Sequence, residues 1–91
     1  MSERAVELEI THSIGLHARP AVKFTKLAKT FGSRISIQEL PDGKIADAKS
    51  VAKVMGLKIK GGRTVRIDAQ GEDAEPAITA LGDLIRRNFD E

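Results

Sequence analysis

Hydrophobic and polar residues alternate one by one in three separate stretches of the chain, and this pattern narrows the possible folds more than any other feature. Successive side chains of a β-strand point to opposite faces, so strict alternation predicts strands that bury one face only. Such strands are typical of an antiparallel sheet that other elements cover on one side. The alternating hydrophobic residues are Val6, Leu8 and Ile10, then Ile35 and Ile37, and then Val65, Ile67 and Ala69.

Elsewhere the hydrophobic residues recur every three or four positions, which predicts three amphipathic helices. The first begins near Ala18 and is expected to end at Gly32. Ser50 is expected to cap a short second helix that ends at Gly61 and Gly62. The third is entered by acidic residues and ends with two arginines, which suits the helix dipole. The predicted core-facing residues are Ala21, Phe24, Leu27, Ala28 and Phe31, then Val51, Val54 and Met55, and then Ala74, Ala77, Ile78, Leu81, Leu84, Ile85 and Phe89.

A turn at Pro41, Asp42 and Gly43 separates the second alternating stretch from a short third strand over residues 44–46. Proline fixes φ in this turn, and glycine is expected to take a positive φ. The predicted order is therefore βαββαβα in one domain that spans residues 1–91. We expect an α/β (α+β) fold, an open-faced β-sandwich whose four-stranded antiparallel sheet has three helices on one face. A ferredoxin-like domain has nearly the same order, so topology alone does not select a function.

The composition excludes several classes of protein. The 91 residues include no cysteine, which excludes a disulfide-framed module, thiol chemistry and a zinc site built from cysteines. The aromatic residues are three phenylalanines, too few for a platform that stacks nucleic-acid bases. No apolar stretch approaches the roughly 18 residues of a membrane-spanning helix, and the first residues do not resemble a signal peptide. We expect a cytoplasmic protein that binds no metal, cofactor or nucleic acid and does not insert into membranes.

The formal net charge of +2 conceals an uneven distribution. Residues 12–67 carry twelve basic and three acidic side chains, while both flanking segments are net acidic. A basic middle segment in a nearly neutral chain favours one surface that binds an anionic partner. The alternative is that the lysine-rich helices present a solvated surface without a partner, and the charge count alone does not decide between the two.

Residues 15–21 read Gly-Leu-His-Ala-Arg-Pro-Ala and mark the start of the first helix. Pro20 is tolerated in the first turn of a helix, which places His17 at about the N-cap. The unpaired N–H groups of a first turn, here those of Ala18 and Arg19, form an anion site at the positive end of the helix dipole. This field favours the neutral, nucleophilic imidazole of His17, and the Arg19 guanidinium suits phosphate oxygens.

These residue types within one turn predict a site that holds a phosphoryl group on His17. No general base is required, because a neutral imidazole already has a nitrogen with a free lone pair. The alternative is that His17 is only a weak N-cap and Arg19 only a surface residue. The combination with a helix-starting Pro20 favours the functional interpretation.

Residues 15–21 resemble the active-site motif of HPr, the family of histidine-containing phosphocarriers in the bacterial phosphoenolpyruvate-dependent sugar phosphotransferase system. The resemblance covers essentially the whole chain and includes Ala-Lys-Ser at residues 48–50 and Gly-Glu-Asp at residues 71–73. It implies that His17 accepts a phosphoryl group on Nδ1 from phospho-enzyme I, and that Arg19 steadies this group. The A domains of enzymes II then receive it for sugar uptake and phosphorylation. The protein is expected to be a monomeric phosphoryl carrier rather than an independent turnover enzyme.

The resemblance also implies a docking surface for these partners, in the segment where the chain carries its excess positive charge. Partners of such a carrier are expected to be acidic where they dock, so this charge speeds their encounter. The predicted docking residues are Val22, Lys26, Lys29, Lys49, Val51, Ala52 and Lys53.

Ser50 has two interpretations. As the N-cap of the second helix it needs no further role. In similar proteins the matching serine is phosphorylated as a regulatory mark, which would add the HPr kinase/phosphorylase as a partner. Val51 and Ala52 are smaller than the apolar residues usual in the family, which weighs against docking of that kinase. Ile14 stands where the family often has Asn or Ser, and His12 is expected to be a surface residue outside the motif.

Two alternatives remain open at this point. One is an HPr-like paralogue that serves a nitrogen-related or dihydroxyacetone-kinase phosphorelay. The other belongs to a different class, a small basic regulatory domain that binds a ligand or nucleic acid. Acid-labile phosphorylation by phosphoenolpyruvate and enzyme I would support a carrier, whereas salt-dependent DNA binding without phosphorylation would support the regulatory domain.

Overall fold

The structure is a computed structural model that describes residues 2–91. Its elements follow one another in the predicted order βαββαβα, and a short 3₁₀ turn comes after the third helix. The strands are β1 (Ser2–Glu9), β2 (Arg34–Glu39), β3 (Ile45–Asp47) and β4 (Thr64–Gly71). The helices are α1 (Ala18–Ala28), α2 (Val51–Gly56) and α3 (Ala74–Arg86), and the 3₁₀ turn spans Asn88–Asp90.

The four strands form one antiparallel sheet in the order β1-β4-β2-β3. Ile67 of β4 lies opposite Val6 of β1 and Ile37 of β2, so the alternating hydrophobic positions fall on the same face of the sheet. On the opposite face Arg66 pairs with Asp68 at 3.1 Å. This arrangement confirms the predicted open-faced sandwich.

The helices cover the hydrophobic face and complete a single core. Phe24 of α1, Val54 of α2 and Leu81 of α3 are fully buried together with the inward residues of the strands. Most of the predicted core residues are buried, and Leu27, Phe31, Val51, Met55 and Ile78 are half-buried at its margin. Within residues 2–91, no helix combines the length and the hydrophobicity needed to cross a membrane.

The predicted ends of α1 and α2 are wrong. Helix α1 ends at Ala28 and is capped by Lys29, and α2 ends at Gly56 and is capped by Leu57. Lys29 and Leu57 keep right-handed backbone conformations, and Lys58 after α2 takes the left-handed one with φ 53°, so neither helix is ended by a left-handed glycine.

Gly32 instead contributes to a contact between two connecting segments. The Asp73 carboxylate accepts the Gly32 amide at 2.8 Å and the Ser33 amide at 2.9 Å, and it also accepts the Ser33 hydroxyl. These hydrogen bonds, the Ser33 hydroxyl first among them, hold the pKa of Asp73 below its ordinary value. Asp73 therefore ties the start of β2 to the start of α3 instead of capping α3 with its side chain.

The hairpin between β2 and β3 also departs from the prediction. Strand β3 begins one residue later than expected, at Ile45. Gly43 does not adopt a positive φ. A glycine is needed at this position for lack of space, because a Cβ would lie 2.5 Å from the carbonyl oxygen of Glu39.

Phe89 is buried as predicted, but it does not belong to α3. The helix ends at Arg86, and residues 88–90 each have a φ of +57°. This left-handed stretch turns the chain back over the start of α1, so the fully buried Phe89 ring reaches the core from outside the helix. The hydrophobic periodicity of α3 concealed the change of direction.

Candidate functional site

His17 is the N-cap residue of α1, as the sequence predicts. Its backbone is extended, with φ −98° and ψ −166°, and its side chain makes no capping hydrogen bond. The His17 carbonyl oxygen accepts the Ala21 amide at 2.7 Å, which closes the first turn. The imidazole is exposed and is not used by the fold.

The first turn leaves donors unpaired beside this imidazole. Ala18 and Arg19 occupy the first two helical positions, and their amides have no backbone partner within residues 2–91. Pro20 follows, has no N–H to satisfy and is buried. Two amide donors and the positive end of an eleven-residue helix thus stand next to a nucleophilic ring.

A tight contact with a second loop fixes the entry into α1. Gly15 has a φ of +89°, and a Cβ at this position would lie 2.3 Å from the carbonyl oxygen of Ile59. That same oxygen accepts the Leu16 amide at 2.9 Å. Leu16, 2% exposed, anchors the loop in the core directly before His17. The glycine of the motif therefore allows the backbone of residues 12–16 to approach the loop after α2.

Arg19 lies in solvent and contacts an acidic residue that the sequence analysis did not select. Its side chain is 80% exposed, and one guanidinium nitrogen lies 3.5 Å from the Glu91 carboxylate. Lys23 donates a hydrogen bond to the same carboxylate. This hydrogen bond, together with the positive charges of Arg19 and Lys23, holds the pKa of Glu91 below its ordinary value.

Glu91 was missed because Phe89 was assigned to the core-facing side of the third helix, which gave no sign of a turn after Arg87. The one signal for a change of direction is Asn88, since asparagine tolerates a left-handed backbone better than most residues. That turn is what brings the Glu91 side chain back to the start of α1.

His12 is more closely involved in the fold than a surface residue would be. It is half-buried, and its Nδ1 accepts the Ile14 amide at 3.2 Å. Its ring packs edge-on against Phe89, with ring centres 6.2 Å apart. His12 and His17 line the same small cavity, but Nδ1 of His12 is occupied by a backbone donor.

The predicted docking residues differ in how exposed their side chains are. Lys49 is half-buried, and its Nζ donates to the Phe31 carbonyl oxygen at 2.7 Å, which ties the segment before α2 to the segment after α1. Val51 is half-buried as well. The exposed members of the set are Val22, Lys26, Lys29, Ala52 and Lys53, and none of these three lysines forms an ion pair within residues 2–91.

Apolar surface adjoins His17, and Lys58 and Lys60 lie at its edge. Ile14 is 65% exposed, and with Met55 and Ile59 it lines a cavity of about 440 Å³ next to the imidazole. The site therefore combines an exposed nucleophile with neighbouring apolar and basic surfaces.

Ser50 is the N-cap of α2, as predicted. Its Oγ accepts the Lys53 amide at 3.3 Å, and the residue is half-buried. This hydrogen bond explains why a serine stands here on structural grounds alone.

Comparison with known proteins connects this geometry to a family. A family model described as the phosphorylation site of the PTS HPr component matches residues 5–87. The phosphocarrier protein HPr of Pseudomonas putida is 39% identical over 87 residues, which cover 96% of both chains. The crystal structure of HPr-C-His from Thermoanaerobacter tengcongensis is 42% identical, covers 97% of both chains and superposes with a TM-score of 0.90.

The chain is also similar to one part of a larger protein. It is 40% identical over 88 residues to the multiphosphoryl transfer protein of Salmonella typhimurium. These residues make up 96% of this chain but 23% of that relative.

Gly15 and Gly62 form a matched pair that tests the loop contact. Their φ angles are +89° and +88°, but a Cβ at Gly62 would meet no heavy atom within 4 Å. We expect Gly62→Ala to lower the free energy of unfolding by about 1–2 kcal/mol, the cost of a left-handed alanine. Gly15→Ala carries that cost and a backbone clash as well, so its loss should be clearly larger. Urea unfolding of both variants measures the difference, and equal losses would show that the loops can separate freely.

Proposed function

Because the chain belongs to the HPr family of phosphocarrier proteins of the phosphotransferase system, we propose that it carries a phosphoryl group on His17. Enzyme I is the proposed donor, and the A domains of enzymes II are the proposed acceptors, which use the group for sugar uptake and phosphorylation. One observation carries the proposal. The His17 imidazole is exposed at the N-cap of α1, makes no capping hydrogen bond and adjoins two unpaired amides.

The proposed step is a substitution at phosphorus. The lone pair of the unprotonated ring nitrogen, Nδ1 according to the family resemblance, forms the new N–P bond. The bond between phosphorus and the donor atom of enzyme I breaks, and its electron pair stays on that atom. Delivery to an enzyme II domain is the same step with His17 as the leaving group. No proton has to leave His17 before it attacks, so the step needs no general base.

In this proposal three groups stabilise the phosphoryl group: the amides of Ala18 and Arg19 and the Arg19 guanidinium. The phosphoryl group brings a charge of about −1.5 to −2 at neutral pH, and the Ala18 and Arg19 amides together with the helix dipole favour such a charge. The Arg19 guanidinium is exposed and can turn towards the phosphoryl oxygens. The exposure of His17 leaves a phosphoryl group on its ring open to a second protein, as a carrier requires.

The docking surface that the family resemblance implies suits acidic partners that bind briefly. Lys26, Lys29 and Lys53 supply positive charge that no internal ion pair neutralises within residues 2–91. Val22 and Ile14 supply exposed apolar contacts. Such a surface accelerates encounter without requiring tight binding, which fits a monomeric carrier that meets donor and acceptor in turn. Ser50 serves as the N-cap of α2 in this proposal.

His17→Ala tests the proposed acceptor. We expect the variant to fold normally, because the exposed ring contributes no capping hydrogen bond. It should not gain the mass of one phosphoryl group when incubated with phosphoenolpyruvate and enzyme I, as measured by intact mass spectrometry. The matched control is His12→Asn, which should load like wild type, since the asparagine oxygen can accept the Ile14 amide in place of Nδ1. Acid-labile phosphate retained on His17→Ala would refute the assignment.

Charge reversal tests the docking surface. Lys53→Glu and Lys26→Glu should each slow transfer from enzyme I by roughly 2- to 10-fold at low ionic strength, since long-range attraction raises the encounter rate. The effect should shrink as salt screens the charges. Arg34→Glu is the control, because it makes the same charge change at an exposed position of β2. Stopped-flow transfer rates that are equal for all variants would mean that the lysines only solvate the surface.

A further inference from the structure

His12 holds the turn that leads into the site with both its backbone and its ring. Its carbonyl oxygen accepts the Gly15 amide at 2.9 Å, and its Nδ1 accepts the Ile14 amide at 3.2 Å. A Cβ at Gly61 would lie 2.5 Å from the same carbonyl oxygen, so the loop after α2 packs directly against this turn. His12 therefore closes the turn that immediately precedes the start of α1.

The His12 ring is held in this position by its surroundings. It is half-buried and packs edge-on against the fully buried Phe89, with ring centres 6.2 Å apart. It also lines the cavity of about 270 Å³ that His17 and Arg19 line. A change in the His12 ring therefore acts directly beside the proposed phosphoryl acceptor.

The hydrogen bond to Ile14 requires a neutral ring. A neutral imidazole with its proton on Nε2 keeps the lone pair of Nδ1 free to accept the amide. An imidazolium is protonated on both nitrogens, so its Nδ1 would meet the Ile14 N–H with a second N–H. Histidine is the side chain that exchanges these two forms between about pH 5 and 8. The turn is therefore tied to the protonation state of His12.

The titratable and charged groups around His12 come from three segments: Glu91 on the C-terminal segment, His17, Arg19 and Lys23 on α1, and Lys60 and Arg63 on the loop after α2. Arg19 and Lys23 already pair with the Glu91 carboxylate. This carboxylate is thus already neutralised, whereas the Ile14 amide gives the neutral His12 ring a donor of its own.

Loss of the hydrogen bond to Ile14 would alter the surface around His17. Ile14 is 65% exposed and lines both cavities that adjoin the His17 imidazole. Once the Ile14 amide is released, the turn is held by one hydrogen bond fewer, so both the Ile14 side chain and the entry into α1 become less well defined.

We propose that His12 is a proton-sensitive positioning residue, which in its neutral form closes the turn before His17 and on protonation releases it. Transfer through His17 should then slow at low pH for two separate reasons, the protonation of His17 itself and the opening of the turn. The inference rests on the proposed function of His17 for this kinetic consequence, whereas the turn can be observed without any transfer.

His12→Asn and His12→Ala separate the acceptor from the rest of the ring. Both variants lose the ring and its contact with Phe89, but the asparagine oxygen can accept an amide two residues ahead and alanine cannot. Transfer from phospho-enzyme I is measured by stopped flow at constant ionic strength across about pH 5 to 8, the range in which histidine titrates.

The three chains should differ in how their rates depend on pH. At the alkaline end we expect wild type and His12→Asn to be equally fast and His12→Ala to be about 2- to 10-fold slower, the range that one hydrogen bond corresponds to. At the acidic end wild type should fall to the rate of His12→Ala, while His12→Asn stays faster than both. Protonation of His17 slows all three chains alike, so the ratios report on the turn.

The Ile14 amide provides a readout that needs no transfer. It is followed by NMR in unloaded, ¹⁵N-labelled His17→Ala, which removes the second titrating ring from the site. Its chemical shift should follow the titration of the His12 ring. In the double variant that also carries His12→Asn, the shift should stay nearly constant over the same pH range.

The outcomes distinguish the two proposals. Titration of His12 that leaves the Ile14 amide unaffected would overturn the role of His12, and so would a wild-type rate profile that runs parallel to that of His12→Asn. If no chain is loaded while the Ile14 amide still follows His12, the proposed function of His17 is overturned and the proton-sensitive turn stands.

Discussion

The contact between the loop that precedes α1 and the loop that follows α2 determines the geometry of the site. The Ile59 carbonyl oxygen accepts the Leu16 amide, and only a glycine at position 15 leaves room for this approach. The contact fixes the backbone directly before His17, so the imidazole leaves the chain at the N-cap instead of within the helix. The unpaired amides, the direction of the helix dipole and the position of Arg19 all depend on that starting point.

Because the reactive groups lie at the exposed start of α1, the proposed transfer needs no deep pocket. The core is built mainly by hydrophobic residues, and the exposed imidazole contributes no hydrogen bond to capping the helix. In the proposed function, exposed basic and apolar side chains supply the contacts with the partners. The proposed reaction needs a nucleophile and nearby donors, and both lie within one helical turn.

The strands and the site motif could be predicted from sequence because their signals are local. Alternation indicated the buried face of each strand, and Pro20 indicated where α1 begins. Features that depend on distant contacts could not be predicted in this way. Gly32 was taken as a helix end because its role depends on Asp73, 41 residues away. Lys49 was predicted to be a docking residue, and its hydrogen bond could not be foreseen because the acceptor, the Phe31 carbonyl oxygen, lies on another segment. Glu91 depends on a left-handed turn that a hydrophobic pattern does not show.

The central claim is that the imidazole at the start of α1 is the phosphoryl acceptor. Triple-resonance NMR of the ¹⁵N-labelled wild-type chain, loaded from phosphoenolpyruvate by enzyme I, tests it most directly. The account predicts one protein-bound phosphorus resonance, coupled to a ring nitrogen of His17. Phosphorus coupled to His12, or bound to a hydroxyl oxygen such as that of Ser50 while His17 stays unmodified, would contradict it.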